Sequence, residues 1–354
     1  MAQTPGCRTL GSFMGSSGHQ QRQRAIAMLL LANLFWGLSF PVIKAVTMLH
    51  AVLLPGAGTW FGAVYTVAPR FVLAVLLLGL WWHRDLTRLT RLELKQGVAM
   101  GLFAAGGMLL QNDGLQFTAA STSAFLTQLY AVLIPVWLAL RARRNPGSIV
   151  WISCALVLAG VAVLGRFNPF APSGPGAVRF GRGECETLLS SFFFMGQILW
   201  LEKREFAANR PERLTFVLFA TEALVFTALA LIAAPNAHAL AAPWGSPTWV
   251  GLTATLTLFC TIAAFLLMNT WQPKITATEA GLIYCIEPIF GSVMALFLPA
   301  WFSVWGGIDY VNERLTWSLL VGGGLITLAN LVIQLKPPAM PMPAAEHTAA
   351  TPSS

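Results

Sequence analysis

The feature that most constrains this chain is a recurrence. Apolar runs of roughly 20 residues, the length at which an α-helix crosses a bilayer, follow one another from residue 26 to residue 335. Inside lipid the backbone has no water to bond, so such runs survive only as helices that satisfy their own N–H and C=O groups. A soluble all-α protein would need amphipathic stripes instead, and these segments are apolar all round. Charged residues make up 10% of the chain, against about 25% in an average soluble protein. The expectation is an all-α membrane protein.

Ten transmembrane helices are expected, at about 26–47, 60–82, 97–116, 120–140, 148–165, 186–202, 215–234, 249–271, 277–298 and 316–335. A polar tail (1–24), a Gly/Pro-rich loop (166–185), a loop at 299–315 and a Pro/Ala/Thr-rich tail (336–354) separate or flank them, with both tails expected to be disordered. Basic residues crowd alternate loops: Arg84, Arg88, Arg91 and Lys95 in one, Arg141, Arg143 and Arg144 in another, Lys203, Arg204, Arg210 and Arg213 in a third. The intervening loops hold only Arg166, Arg179, Arg182 and Arg314. This bias predicts that both termini are cytoplasmic. It also accounts for the net charge of +8 without a nucleic-acid partner. The partners expected are the lipid bilayer and a small organic substrate, with protons as a candidate coupling ion.

The two halves echo each other. Gln116 begins QFTAASTSAFLTQLYAVLIPV, with Pro135 deep in the next span; Gln272 begins QPKITATEAGLIYCIEPIF, with Pro288 in a comparable place. Arg70 and Glu222 lie at similar depths in the second and seventh spans. If residues 25–165 and 186–335 are five-helix repeats, the odd number inserts the second copy upside down. Inverted repeats are the architecture of many secondary transporters, with substrate bound near the midplane between them.

Glu287 carries the sharpest local signal. A carboxylate deep in an apolar span is costly and reads as functional by default, and Pro288 beside it frees backbone groups that something else must satisfy. Either Glu287 contacts substrate or a proton, or it is a structural or gating acid. Glu279 is a second acid near the start of the same segment. Arg70 and Glu222 are candidate ionic partners or cavity groups. Lys44 lies near the outer end of the first span, where it can snorkel or attract anions. Asp113 is expected to be solvated. Trp36 is too deep for an interfacial tryptophan and is a candidate cavity wall. Asn33, Gln111, Gln128, Tyr130, Gln197, Asn269, Gln272 and Tyr284 are polar groups that bond helix to helix or line a site. Pro135 and Pro288 are assigned structural or gating roles.

Several of these pieces, taken in order, resemble EamA-type members of the drug/metabolite transporter superfamily. They are Trp36-Gly37-Leu38-Ser39-Phe40-Pro41 with Lys44, Arg70-Phe71, Gln111 to Thr118, Pro135, Gln272, Ala280 to Pro288, and Glu313-Arg314-Leu315 before Gly322-Gly323-Gly324. The resemblance covers about residues 26–335 and implies a ten-helix transporter of small organic metabolites, often outward, with a central cavity lined from both halves. It also implies that Glu-Pro is a shared feature across many substrates. Two departures stand out: Arg141 to Pro146 replaces the usual Gly-Glu before the fifth helix, and Pro299 to Asn312 is extra.

The chain offers little to rival chemistries. Its five cysteines have no metal-ligand spacing, and the five histidines (His19, His50, His83, His238, His347) are read as lying in loops or tails. No metal, cofactor or catalytic residue is expected, and no phosphate-cradling loop ending in Lys-Ser or Lys-Thr is present. The leading function is a secondary transporter working by alternating access, an exporter by resemblance. The alternative is a membrane-embedded lipid-modifying enzyme.

Overall fold

The computed structural model describes residues 10–141, 143, 145, 147–164, 181–275, 280 and 283–335. Glu279 lies outside them. The described chain is helical: α1 (Leu10–Leu53), α2 (Thr59–Leu86), α3 (Arg91–Phe117), α4 (Ala120–Thr127), α5 (Tyr130–Arg141), α6 (Ser148–Leu164), α7 (Arg182–Leu201), α8 (Pro211–Ala233), α9 (Ala237–Ala241), α10 (Pro247–Thr255), α11 (Ala264–Trp271), α12 (Glu287–Ala295), α13 (Leu298–Gly306) and α14 (Trp317–Leu335). A π-helical segment, Leu256–Ala263, joins α10 to α11.

By length and apolarity five helical stretches among the described residues qualify as membrane crossings on their own: Gln20–Leu53, Thr59–Leu86, Ala120–Arg141, Pro211–Ala233 and Pro247–Lys274. The pair α12 and α13 qualifies only together and is bent by 53°; Ser148–Leu164 and Trp317–Val332 are apolar but shorter. The protein is a multi-pass helical membrane protein.

Helix ends alternate between two ends of the bundle. At one end α3 starts with a capping box: the Glu93 N–H donates to the Thr90 hydroxyl at 3.2 Å, and the Thr90 N–H donates to Glu93 Oε2 at 2.8 Å. Glu93 also accepts from the Arg210 N–H at 3.2 Å and pairs with Arg213 at 3.4 Å, fastening the start of α8 to the start of α3. Burial pushes the Glu93 carboxyl up. The Thr90 and Arg210 N–H groups, the Thr90 hydroxyl and the Arg213 guanidinium outweigh that and hold it below the usual glutamate range.

Small residues set the closest approaches. α6 meets α14 where Gly160 faces Gly322: a Cβ on Gly160 would sit 2.7 Å from the Gly322 carbonyl oxygen. α1 meets α12 at Gly37, where a Cβ would sit 2.7 Å from Phe290 Cβ and 2.8 Å from the Gly291 nitrogen. In lipid, where helix association relies on packing rather than on the hydrophobic effect, such contacts hold helices together.

Four features depart from the sequence expectation. Helix α1 reaches back to Leu10, through most of the stretch expected to be a disordered tail. The expected loop at 299–315 contains α13. The span at 120–140 breaks at Gln128–Leu129 into α4 and α5, and the span at 277–298 breaks at Cys285–Ile286 ahead of α12. Finally, His50 is not in a loop. It lies inside α1, 3% exposed, and accepts a 2.7 Å hydrogen bond from Trp249 Nε1. His83 and His238 likewise fall within helices α2 and α9. An apolar pattern runs unbroken through His50, so neither the helix's end nor the aromatic partner waiting on α10 is visible in the local sequence.

Candidate functional site

The two helix breaks meet. Gln128 caps α4, and Glu287 opens α12 with Pro288 in its first turn. Proline is tolerated there because the first-turn N–H groups have no intrahelical partner anyway. Gln128 Nε2 donates to Glu287 Oε2 at 3.2 Å, and both side chains are buried. Pro135 stands elsewhere relative to its break, inside α5 and seven residues beyond Gln128.

Around Glu287 lies a cavity of about 100 Å³. From the first half of the chain it is lined by Trp36, Ser39 and Ile43 on α1, Arg70 on α2, Gln111 and Asn112 on α3, and Thr127 and Tyr130 at the α4–α5 break. The second half adds Phe194 and Gln197 on α7, Phe265 and Met268 on α11, and Tyr284 and Glu287. Trp36 packs edge-on to Phe265 and Tyr284, with centroids 5.7 and 5.9 Å away. Gln111 Nε2 donates to the Thr127 hydroxyl at 2.9 Å. One guanidinium and one carboxylate therefore face a pocket whose remaining walls are aromatic rings, methionines, the aliphatic side chains of Ile43, Ile198 and Leu201, amides and hydroxyls.

Arg70 is held from the far side by the π-helical segment. Its Nε donates to the Thr261 hydroxyl and its Nη2 to the Cys260 carbonyl at 3.2 Å. The Thr261 hydroxyl in turn donates to the Leu256 carbonyl five residues back at 2.9 Å. A π turn widens the helix and leaves carbonyls off the regular ladder, which is why such turns recur at functional sites.

Of the sequence-predicted residues, Glu287, Arg70, Trp36, Gln111, Gln197, Tyr130 and Tyr284 line the cavity. Gln128 reaches it through Glu287. Gln272 stands behind the wall: it accepts from the Tyr284 hydroxyl at 2.7 Å and donates to Glu202 at 3.3 Å. Glu222 is fully buried on α8 and is not part of the wall; neither of its carboxyl oxygens has a hydrogen-bond partner among the described residues. Arg70 is near enough for its charge to be felt there, but the direct partners of Arg70 are Thr261 and Cys260.

Lys44 also lies outside the cavity. Its ammonium donates to the Thr118 carbonyl, close to the acidic Glu313. At the same end Glu313 caps the start of α4, accepting from the Ala120 N–H at 2.8 Å and from the Ser121 N–H and hydroxyl. Asp113, expected to be solvated, is instead buried and paired with Arg182, which also holds Glu186 at 2.7 Å. Sequence reasoning missed Thr261 altogether, since nothing in an apolar run announces a π turn. Asn112 and Thr127 were legible only as neighbours of Gln111 and Gln128.

Residues 23–166 match the model of the EamA-like transporter family. Over 336 residues, 93% of each chain, the protein is 25% identical to an uncharacterized transporter of Archaeoglobus fulgidus. A solved crystal structure shares the fold with a TM-score of 0.50 at 16% identity, covering 86% of this chain and 97% of that one. The stretch similar to the EamA-like transporter family, residues 23–166, thus takes in the crossing of α1 and all of α2 through α6, in a chain whose similarity to a transporter runs almost end to end.

Proposed function

We propose that this protein is a secondary transporter that moves small organic molecules across the cell membrane by alternating access, with the cavity at Glu287 as its binding site. One observation carries the reading: a largely apolar pocket with an arginine and a glutamate in its wall, lined from both halves of the chain, inside a bundle whose outer surface is apolar. A bundle that served only as a scaffold would gain nothing from burying Arg70 and Glu287 around a void, because a desolvated charge is costly.

The proposed frame is ten crossings in two inverted five-helix repeats, 25–165 and 186–335, with both termini cytoplasmic. Helix packing supports it. Pairing each helix with its counterpart in the other half, α3 against α7 answers α1 against the α10–α11 crossing, and α1 against α12 answers α7 against α4–α5; α2–α8 and α6–α14 are their own counterparts. Charge supports the orientation, since Arg84, Arg88, Arg91, Lys95, Arg141, Lys203, Arg204, Arg210 and Arg213 gather at one end. Export is the proposed direction and a proton gradient the proposed drive, with Glu287 as the group through which protons act.

Proteoliposome uptake and efflux over a panel of amino acids, nucleosides, sugars and cationic drugs, with an imposed pH gradient, tests this reading. Saturable flux of one class, lost in Glu287→Gln, is expected. Flux indifferent to the gradient, with Glu287→Gln keeping the wild-type pH profile, overturns proton coupling. The absence of any protein-dependent flux across the panel overturns transport of these solute classes.

A further inference from the structure

The extra segment Pro299 to Asn312 has no part in the cavity, yet it is ordered around a nine-residue helix, α13. At about 1.5 Å per residue α13 spans roughly 14 Å, less than half of a hydrocarbon core of about 30 Å. It also turns 53° away from α12, which has already brought the chain to this end of the bundle. Neither a crossing nor a simple loop describes it.

Its two faces differ. Pro299 and Phe302 are buried, and the Thr248 hydroxyl on α10 donates to the Trp305 carbonyl at 2.8 Å. On the other side Phe297 (55%), Trp301 (74%), Val304 (88%) and Trp305 (53%) are exposed. This row continues the exposed stripe of α12, where Ile289 and Val293 stand four residues apart ahead of Phe297 and Trp301. The lipid-facing surface of a spanning helix thus runs on, without interruption, onto α13.

The described exposed tryptophans fall into two groups. Trp81, Trp137 and Trp151 lie at the end where α2 and α5 finish and α6 begins. Trp60, Trp244, Trp301, Trp305 and Trp317 lie at the opposite end, where α2, α10 and α14 begin. Tryptophan favours the headgroup level because its ring is apolar and its N–H is not. No charged residue occurs from Leu298 to Ile308, and the chain becomes polar only on the return, at Asp309, Asn312, Glu313 and Arg314. That return is closed locally: the Tyr310 N–H donates to Ser303 Oγ at 2.8 Å, and the Ala300 N–H to Asn312 Oδ1 at 2.7 Å. Backbone near lipid is thereby satisfied.

We propose that α13 is an interfacial anchor, lying along the boundary between lipid headgroups and acyl chains with Phe297, Trp301, Val304 and Trp305 in lipid. Its occupant is the bilayer, not a second protein. The anchor also has a mechanical consequence. The Glu313 N–H donates to the Ala295 carbonyl at 2.9 Å, so the segment rooted in the interface is the one that delivers the Glu313 carboxylate to the start of α4.

The test uses the full chain in lipid nanodiscs, with Cys7, Cys154 and Cys185 replaced by serine and one bimane label placed through Val304→Cys or, as a depth control, Val293→Cys. Quenching is compared among lipids spin-labelled near the headgroup, lipids spin-labelled near the acyl terminus, and aqueous iodide. The label at 304 is expected to be quenched about two-fold or more better by the shallow than by the deep spin label, as befits a helix buried about 5–10 Å into the boundary, while the label at 293 shifts toward the deep one. Dominant iodide quenching at 304 places α13 in water and overturns the proposal. So does deepest-label quenching, which places it in the hydrocarbon core. Protection from all three quenchers means that another protein copy covers the face, and overturns it as well.

Discussion

Gln128 and Glu287 come from opposite halves of the chain, each stands at a helix break, and they meet in a buried hydrogen bond of 3.2 Å. The contact joins the two places where the backbone ladder is already interrupted, which is where a helix bends most cheaply. Gln128→Leu leaves Glu287 Oε2 buried without its donor and is expected to cost about 1–3 kcal/mol. A lowered unfolding temperature in detergent checks this, and Glu287→Gln should recover much of the loss when combined with Gln128→Leu. A combined variant less stable than Gln128→Leu alone would show that the pair is not the relevant contact.

Arg70 is aimed by Thr261 and Cys260. Thr261→Val removes the hydroxyl but keeps the shape, so the fold should persist while substrate affinity falls about ten-fold, the equivalent of one charge-assisted hydrogen bond of roughly 1.5 kcal/mol. Arg70→Lys should lose at least as much, because an ammonium lacks the planar fork that reaches both partners. Binding measured by calorimetry on the identified substrate reads both effects.

Gly160→Leu should separate α6 from α14 and destabilise the protein by about 1–3 kcal/mol, a typical cost of overpacking. Gly324→Ala is the control: nothing among the described residues lies within 4 Å of a Cβ there, so its unfolding temperature should match the wild type. Equal shifts in the two variants would refute the close-packing account.

Glu313→Ala removes the cap from the start of α4, an effect worth about 0.5–2 kcal/mol. Hydrogen exchange should report it first at Ala120 and Ser121, whose N–H groups lose their acceptor. Unchanged protection at those two amides would exclude the capping role.

Glu93 predicts an acid limb. Its folded carboxyl is held below the ordinary range, so its contribution to stability is complete above the unfolded pKa of about 4.3 and disappears as pH falls through the lower folded value. Unfolding temperatures measured downward from neutral pH should drop across that interval, and less steeply in Glu93→Gln. Parallel curves for the two proteins would remove Glu93 from the account.

Some of this was legible before any fold was known, and some was not. Apolar runs of spanning length and the crowding of arginines in alternate loops follow directly from composition along the chain, because lipid admits only internally bonded helices and insertion responds to local charge. Although the span at 277–298 was expected to run unbroken, a disturbed hydrogen-bond ladder at Glu287-Pro288 was legible, since proline cannot continue it. The break at Gln128–Leu129 was not: Pro135 drew attention seven residues away, and no residue at 128 or 129 forbids a helix.

Helix rotation is what only the tertiary structure decided. A segment apolar on every side carries no signal for which face turns inward. Sequence therefore placed Arg70 and Glu222 at similar depths, while packing turned Arg70 to the cavity and left Glu222 outside it. The same indeterminacy hid His50 against Trp249 and Thr261 against Arg70, contacts between residues 199 and 191 positions apart. The chain alone determined that its helices cross a membrane. Only their packing, fixed by steric fit at glycines such as Gly37 and Gly160, determined which of its few polar groups share one space.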